Sequence, residues 1–214
     1  MSDDYDAEYE LVYVDKLPQL QRVLEDGSLG PPLQLTVVDR RETFFRALLD
    51  NPSLLVETLL VVGRNVRSDQ GVAFDVLAVD IVGCLYAIIV EPQTATLPTL
   101  ECGVKDMDTI YRLGIDEVRG MYVELGMDGT LDEAFGDAFG CDLPALLDSS
   151  PALRIIAGAF DYEIVRSNYL LEESRLDTDL YTFLEFIEEG ETRSIASWVM
   201  PISDDDYQYR NFEL

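Results

Sequence analysis

Apolar residues recur along this chain at two different spacings, and each change of spacing marks the border of an element. After Asp39-Arg40-Arg41-Glu42, the residues Phe44, Phe45, Leu48 and Leu49 fall three and four apart, which places them on one face of a helix. Asn51-Pro52 ends that helix, because proline has no amide to continue it. Leu59 to Val66 reads as a strand, 67–71 as a turn, and Val72 to Val79 as a second strand. In the second strand Val72, Phe74, Val76 and Ala78 take one face and Asp75 the other. A turn over 80–83 leads into a third apolar strand, Leu85 to Val90, so the three make a hairpin or meander. Beyond Pro92 the pattern turns helical from about Leu97 to Leu113 and again from Ile115 to Leu125, with Gly103 weakening the first. Leu131, Phe135 and Phe139, four apart, predict a short amphipathic helix. Leu153 to Gly158 is a continuous apolar strand, and a helix capped by Asp161 runs to Glu173. Leu180 to Ile187 and Thr192 to Met200 close the chain as a strand pair, with Trp198 read as core.

The ends are less patterned. Residues 1–10, MSDDYDAEYE, are acidic and poor in aliphatics and read as a frayed tail, as does the acidic segment 203–214. Between them, 11–202 is expected to form one domain. Its first part combines strand-like Leu11 to Val14 and Leu33 to Val38 with a helix over Leu17 to Leu24 and a turn at Gly27 to Pro32. The order of elements fits an α/β sandwich better than a regular doubly wound sheet.

Composition narrows the chemistry. With 214 residues and 48% hydrophobic content there is enough material for one sizeable core. The apolar runs are strand-length, far short of the roughly 20 residues a membrane span needs. The acidic N-terminus lacks the basic and apolar regions of a secretory signal, so the expected setting is cytoplasmic, with no membrane partner. There is no histidine, and Cys84, Cys102 and Cys141 form no CxxC pair. A zinc site, a disulfide framework and the Ser-His-Asp or Cys-His arrangements are thereby set aside, and Cys84 reads as a small buried residue. The 42 acidic residues face 15 basic ones for a net charge of -27, and Lys16 and Lys105 are the only lysines. Such a chain repels itself in dilute buffer, whereas at molar salt the screening length shrinks to roughly 3 Å. Acids dispersed along the whole length and arginine as the main cation point to a halophilic archaeal protein.

The stretch from Glu42 to Gln93 is the most distinctive. It joins a helix bearing Glu42 to Asn51-Pro52-Ser53-Leu54-Leu55, then LLVVGRNV, VAFDVLAVD and LYAIIVEPQ, each separated by a turn. This resembles the PD-(D/E)XK nuclease superfamily, in the branch of the archaeal endonuclease that acts on single strands and mismatches. TLDEAFGDAFGCDLP, RIIAGAFDYEIVRSNYLL and TRSIASWVMPI are similar to that branch's C-terminal half. The resemblance implies an α/β fold with a restriction-endonuclease-like mixed β-sheet core flanked by helices, with the motif region at 39–113.

It also implies a site. In such nucleases two carboxylates hold Mg²⁺ or Mn²⁺, hard cations that take oxygen ligands, polarise the scissile phosphate and activate a water. Asp75 and Glu91 occupy the matching positions here, and Glu42 is a further ligand or catalytic assistant. The family's lysine, two residues after the glutamate, is replaced by Gln93, which can position a water but carries no charge. Pro92 is a second departure. Arg64, Arg67 and Lys105 are candidates for nucleic-acid contact, and so is Tyr111, which matches a tyrosine on the helix that follows. The glutamine that goes with it is missing, with Glu101 and Cys102 nearby. Plainer readings stand beside these: Glu91 as a solvated strand end, Glu42 as a helix-start carboxylate, and the cations as salt-bridge partners. An ionised Asp75 within a strand is rarely there for packing, since an unpaired buried carboxylate costs several kcal/mol, and a site role is favoured over a structural one. The expectation is a Mg- or Mn-dependent endonuclease acting in DNA repair, restriction or defence on single-stranded or branched DNA, with a homodimer among the assemblies allowed. The alternative is an inactive nuclease fold that binds nucleic acid or a protein partner.

Overall fold

The computed structural model describes residues 9–14, 17–24, 26–35, 40–55, 57–68, 71–148, 150–173 and 176–199. The two acidic segments expected as tails lie outside these residues, apart from Tyr9 and Glu10. The chain divides into two compact units, Met1–Val38 with Leu184–Ile195, and Asp39–Phe183 with Ala196–Leu214.

In the first unit, β1 (Tyr9–Val14), β2 (Leu17–Val23) and β3 (Leu29–Pro32) form an antiparallel sheet in that order. The helix expected over Leu17 to Leu24 is therefore a strand. A helix would put Leu20 and Leu24 on one face, yet Leu20 is buried and Leu24 exposed. Pairing of β2 with strands on both sides outweighs its helical spacing. The expected turn at Gly27 to Pro32 is likewise half strand. A two-residue strand, β4 (Gln34–Leu35), follows.

The second unit begins with α1 (Arg40–Asp50) and the meander β5 (Leu60–Ser68), β6 (Gly71–Val79) and β7 (Leu85–Val90). Then come β8 (Thr94–Ala95), α2 (Leu97–Tyr111), α3 (Ile115–Glu124), α4 (Leu131–Phe139), β9 (Ala152–Ala157), β10 (Ala159–Phe160) and α5 (Tyr162–Glu173). The long strand β11 (Thr178–Glu188) starts in this unit, and β12 (Glu191–Trp198) ends in it. The sheet order is β12-β11-β9-β7-β6-β5, with β4 also on β11, which gives seven strands among the described residues. The pairs β5/β6 and β6/β7 are antiparallel, whereas β7/β9 and β9/β11 are parallel. This is a mixed α/β sheet, as expected.

Both faces of the sheet are covered. Val62, Leu77, Val79, Leu85, Ala87, Leu153 and Ile155 pack with α2 to α5, and Val61, Val76, Ala78, Tyr86, Ile88 and Ile156 pack with Phe44 and Leu48 of α1. Phe44 meets Phe183 edge to face at 5.3 Å between ring centroids. Phe74 packs with Leu77 and Val79 instead of with Val76 and Ala78. The β5/β6 register also shifts, between Val66 and Arg67 and between Val61 and Gly63, so the strand does not keep the strict two-residue repeat on which the sequence reading relied. Gly103, which weakened the helix prediction, lets α2 lie close to the sheet, since a Cβ there would come within 2.8 Å of Ile89 Cδ1. Trp198 is not core. It is 42% exposed, and its indole N–H donates to Asp179 Oδ1 at 3.0 Å. Among the described residues, no helix is long and apolar enough to cross a membrane.

Candidate functional site

The corner where β6 and β7 part collects most of the chemistry the sequence points to. The register of this pair runs from Val79↔Leu85 to Val76↔Ile88. At the next step the Asp75 carboxylate enters the ladder in place of main chain, with Oδ2 accepting the Val90 amide at 2.7 Å. Its other oxygen, Oδ1, takes the Arg41 Nε at 2.9 Å. The side chain of Asp75 is 13% exposed and that of Arg41 is half-exposed. Burial pushes the Asp75 carboxyl above its ordinary value, and the Val90 amide and Arg41 pull against that shift.

Arg41 arrives from the first turn of α1 with two neighbours. Glu42 accepts Arg46 Nε at 2.8 Å and Arg64 Nη2 at 2.5 Å, and these bonds hold its carboxyl below the usual range. Arg64, on β5, lies over the Phe45 ring at 4.3 Å from the centroid. Arg40 donates to the carbonyl of Pro92, and its guanidinium lies flat where a Cβ on Gly158 would sit, 2.5 Å from Nη2. Gly158 is thus required by the approach of a side chain, and burial lowers the Arg40 guanidinium from its ordinary value.

Glu91 follows β7 directly. Its amide donates to Ile156 O at 2.7 Å, and its carboxylate, half-buried, has no partner among the described residues. Gln93 is exposed, and its carbonyl accepts the Gly158 amide at 3.3 Å. Asp75 and the Glu42–Arg64 pair are therefore linked through α1 to the end of β7, where Glu91 follows and Gln93 lies two residues farther on. Arg67 is exposed farther along β5. Lys105 and Tyr111 are carried away by α2. At 1.5 Å per residue, the helix puts Tyr111 roughly 20 Å beyond its start. There Tyr111 lines a cavity of about 280 Å³ with Leu85, Ile110, Leu113, Leu146 and Leu147.

The donor set does not fit a divalent cation. Mg²⁺ asks for near-octahedral oxygen at close range. Here both oxygens of Asp75 already accept hydrogen bonds, and one donor is itself a cation. Glu42 accepts from two guanidinium groups, those of Arg46 and Arg64. Among the described residues, no three carboxylates or thiols converge on one point. The sequence reading missed Arg40 and Arg41 as site residues. The signal was present: they form the one Arg-Arg pair in a chain with net charge -27, directly ahead of Glu42.

No family model matches the chain, and no curated protein matches it. Among solved structures, the EndoMS–dsDNA2 complex aligns with a TM-score of 0.37 and 13% identity, covering 81% of this chain and 64% of that one. A repair endonuclease from Pyrococcus abyssi aligns at 0.36 and 12% identity, over 79% of this chain and 63% of that one. EndoMS in its apo form aligns at 0.36 and 14% identity, over 80% and 63%. The chain spans less than two thirds of the length of each of these structures.

Proposed function

We propose that this protein is a nuclease-like domain that binds the backbone of nucleic acid through guanidinium groups and does not hydrolyse it. The observation that carries the reading is the Arg41–Asp75 pair at 2.9 Å, which places a protein cation on the carboxylate a hydrolytic metal would need. Gln93 supports it, because an uncharged amide cannot stabilise the charge that builds up on a phosphate under attack.

Binding is supported by local charge. Between Arg40 and Arg67 the cations Arg40, Arg41, Arg46, Arg64 and Arg67 outnumber Glu42, Asp50 and Glu57, a reversal of the chain's overall balance. Arg67 is exposed with no partner among the described residues, and planar guanidinium suits phosphate oxygens. One observation favours the cleaving alternative with Mg or Mn: the carboxylate of Glu91, which follows the Val90 amide bonded to Asp75, has no partner among the described residues.

The test is fluorescence anisotropy of labelled single-stranded and branched DNA across a range of KCl, with a parallel Mn²⁺ cleavage assay. Saturable binding is expected, with no product. Arg67→Ala should lower the slope of log affinity against log salt by about 1, the signature of one lost phosphate contact. Product that Asp75→Asn abolishes would replace this reading with the endonuclease, and absence of saturable binding would end the nucleic-acid reading.

A further inference from the structure

We infer that Arg41 is a built-in plug: its guanidinium takes the place of a divalent cation at the Asp75–Glu91 corner, and this one side chain keeps Mg²⁺ and Mn²⁺ out. The inference deepens the non-hydrolysing reading above and rests on it, because it names the residue responsible and makes the absence of metal binding reversible.

The geometry separates what is fixed at this corner from what is movable. The Asp75 Oδ2 bond to the Val90 amide belongs to the backbone and leaves the carboxylate oriented toward the end of β7. Glu91 is the next residue there, and its amide is fixed to Ile156 O at 2.7 Å. The Asp75 carboxylate and the Glu91 main chain are thus both fixed at the end of β7, and for the Glu91 carboxylate no partner is found among the described residues. The remaining oxygen, Asp75 Oδ1, is occupied by Arg41 Nε from a half-exposed side chain. Arg40, the preceding residue, is tied instead to the Pro92 carbonyl, so the two adjacent guanidiniums serve different partners. Arg64 is already engaged with Glu42 and stacked on Phe45, and is not free to replace Arg41 on Asp75. Removing Arg41 would strip the mostly buried Asp75 carboxylate of its bonded cation and leave it only the through-space charge of Arg64, an expensive state that an incoming cation relieves. Magnesium and manganese are the chemical class that suits paired carboxylate oxygens with water completing the shell.

The experiment is calorimetric titration of Mn²⁺ in molar KCl into wild type, Arg41→Gln, Arg41→Lys, Asp75→Asn and Arg41→Gln/Asp75→Asn. The Asp75→Asn proteins report the diffuse binding expected of so acidic a chain. Wild type and Arg41→Lys should match that background, since lysine keeps the positive charge. Arg41→Gln should show one additional site, tighter by roughly tenfold or more once a unit charge a few Å away is gone, and the double variant should lose it. A site in wild type that Asp75→Asn removes would overturn the plug. So would an Arg41→Gln protein that melts like wild type and shows only background. If Arg41→Gln melts lower, Mn²⁺ should raise its melting temperature and leave that of the double variant unmoved; no rise would also overturn the inference. DNA anisotropy on wild type is independent of these titrations, so a failure of nucleic-acid binding would be distinguishable from a failure of the plug.

Discussion

Arg154 offers the sharpest test of the energetics. It lies on β9 at 1% exposure, with Nη1 on Asp177 at 2.7 Å, Nη2 on Glu57 at 2.9 Å and on Asp179 at 3.4 Å, and its guanidinium over Tyr86 at 4.9 Å. Burial alone would pull this guanidinium down, but the carboxylates of Asp177, Asp179 and Glu57 more than offset that, and its pKa is raised. Arg154→Met keeps a straight chain of similar reach and removes the charge. Stripping one partner from a fully buried pair costs about 3–5 kcal/mol. The three carboxylates are 29%, 52% and 21% exposed, so Asp177 rehydrates readily while Glu57 and Asp179 do so only in part. We expect a loss of about 2–3 kcal/mol at neutral pH after that discount. Urea unfolding in molar KCl reads it, and the single tryptophan, Trp198, whose indole donates to Asp179, serves as a local reporter.

The pH dependence carries a sign. Burial already raises the Asp179 carboxyl above 3.8, with Arg154 opposing. Without Arg154 it should rise further, so the folded variant takes up a proton before the unfolded chain does. In that window the folded state binds more protons, and stability grows as pH falls. The gap between variant and wild type should therefore narrow on acidification toward 3.8. A variant as stable as wild type at neutral pH, or a gap that widens on acidification, would refute the ion-pair account and leave Arg154 as a space-filler.

Two further outcomes follow from local geometry. Gly158→Ala should push the Arg40 guanidinium off the Pro92 carbonyl and cost about 1–3 kcal/mol, the worth of a hydrogen bond from a charged donor. A double-mutant cycle with Arg40→Ala, read by urea unfolding, should show the two costs to be strongly non-additive. Thr130→Ala removes the N-cap of α4, where Thr130 Oγ1 accepts the Glu133 amide at 3.2 Å while Glu133 Oε2 accepts the Thr130 amide at 2.9 Å. A loss of about 1 kcal/mol is expected from thermal or urea unfolding, and none would mean that α4 is held by Leu131 and Phe135 alone.

Much of the fold was legible because period and punctuation agreed. Leu85 to Val90 and Leu131 to Phe139 match β7 and α4 residue for residue, since a run of buried aliphatics and apolar residues four apart each leave little choice. The sequence misled where pairing outweighs pattern. Leu17 to Leu24 has helical spacing but sits between two strands, and Trp198 is held at the surface by a carboxylate instead of being buried. The short strands β8 and β10 pair only with each other over two residues, too few to leave a periodic trace. At the site, Asp75 stood out because a carboxylate amid strand aliphatics is costly wherever it is placed. What satisfies it did not stand out, because a helix-start Arg-Arg-Glu reads equally well as surface.

That last difference bears on how charge should be read in a chain this acidic. A carboxylate inside a sheet states a demand for positive charge but does not say whether metal, lysine or arginine will meet it. Where lysine is almost absent and 42 acidic residues face 15 basic ones, arginine answers with a broad, weakly hydrated group that can bond one carboxylate and still stack or bridge elsewhere. Arg64 does so between Glu42 and Phe45, Arg154 among three carboxylates and Tyr86, and Arg41 on Asp75. Arg154 is buried at 1% exposure, and Arg64, though exposed, is held by Glu42 and Phe45. Arg41 differs in that its half-exposed side chain bonds a carboxylate held at the end of β7, one residue from Glu91, for which the described residues supply no cation. Of the three, it is the one whose removal should create a binding site as well as a loss of stability.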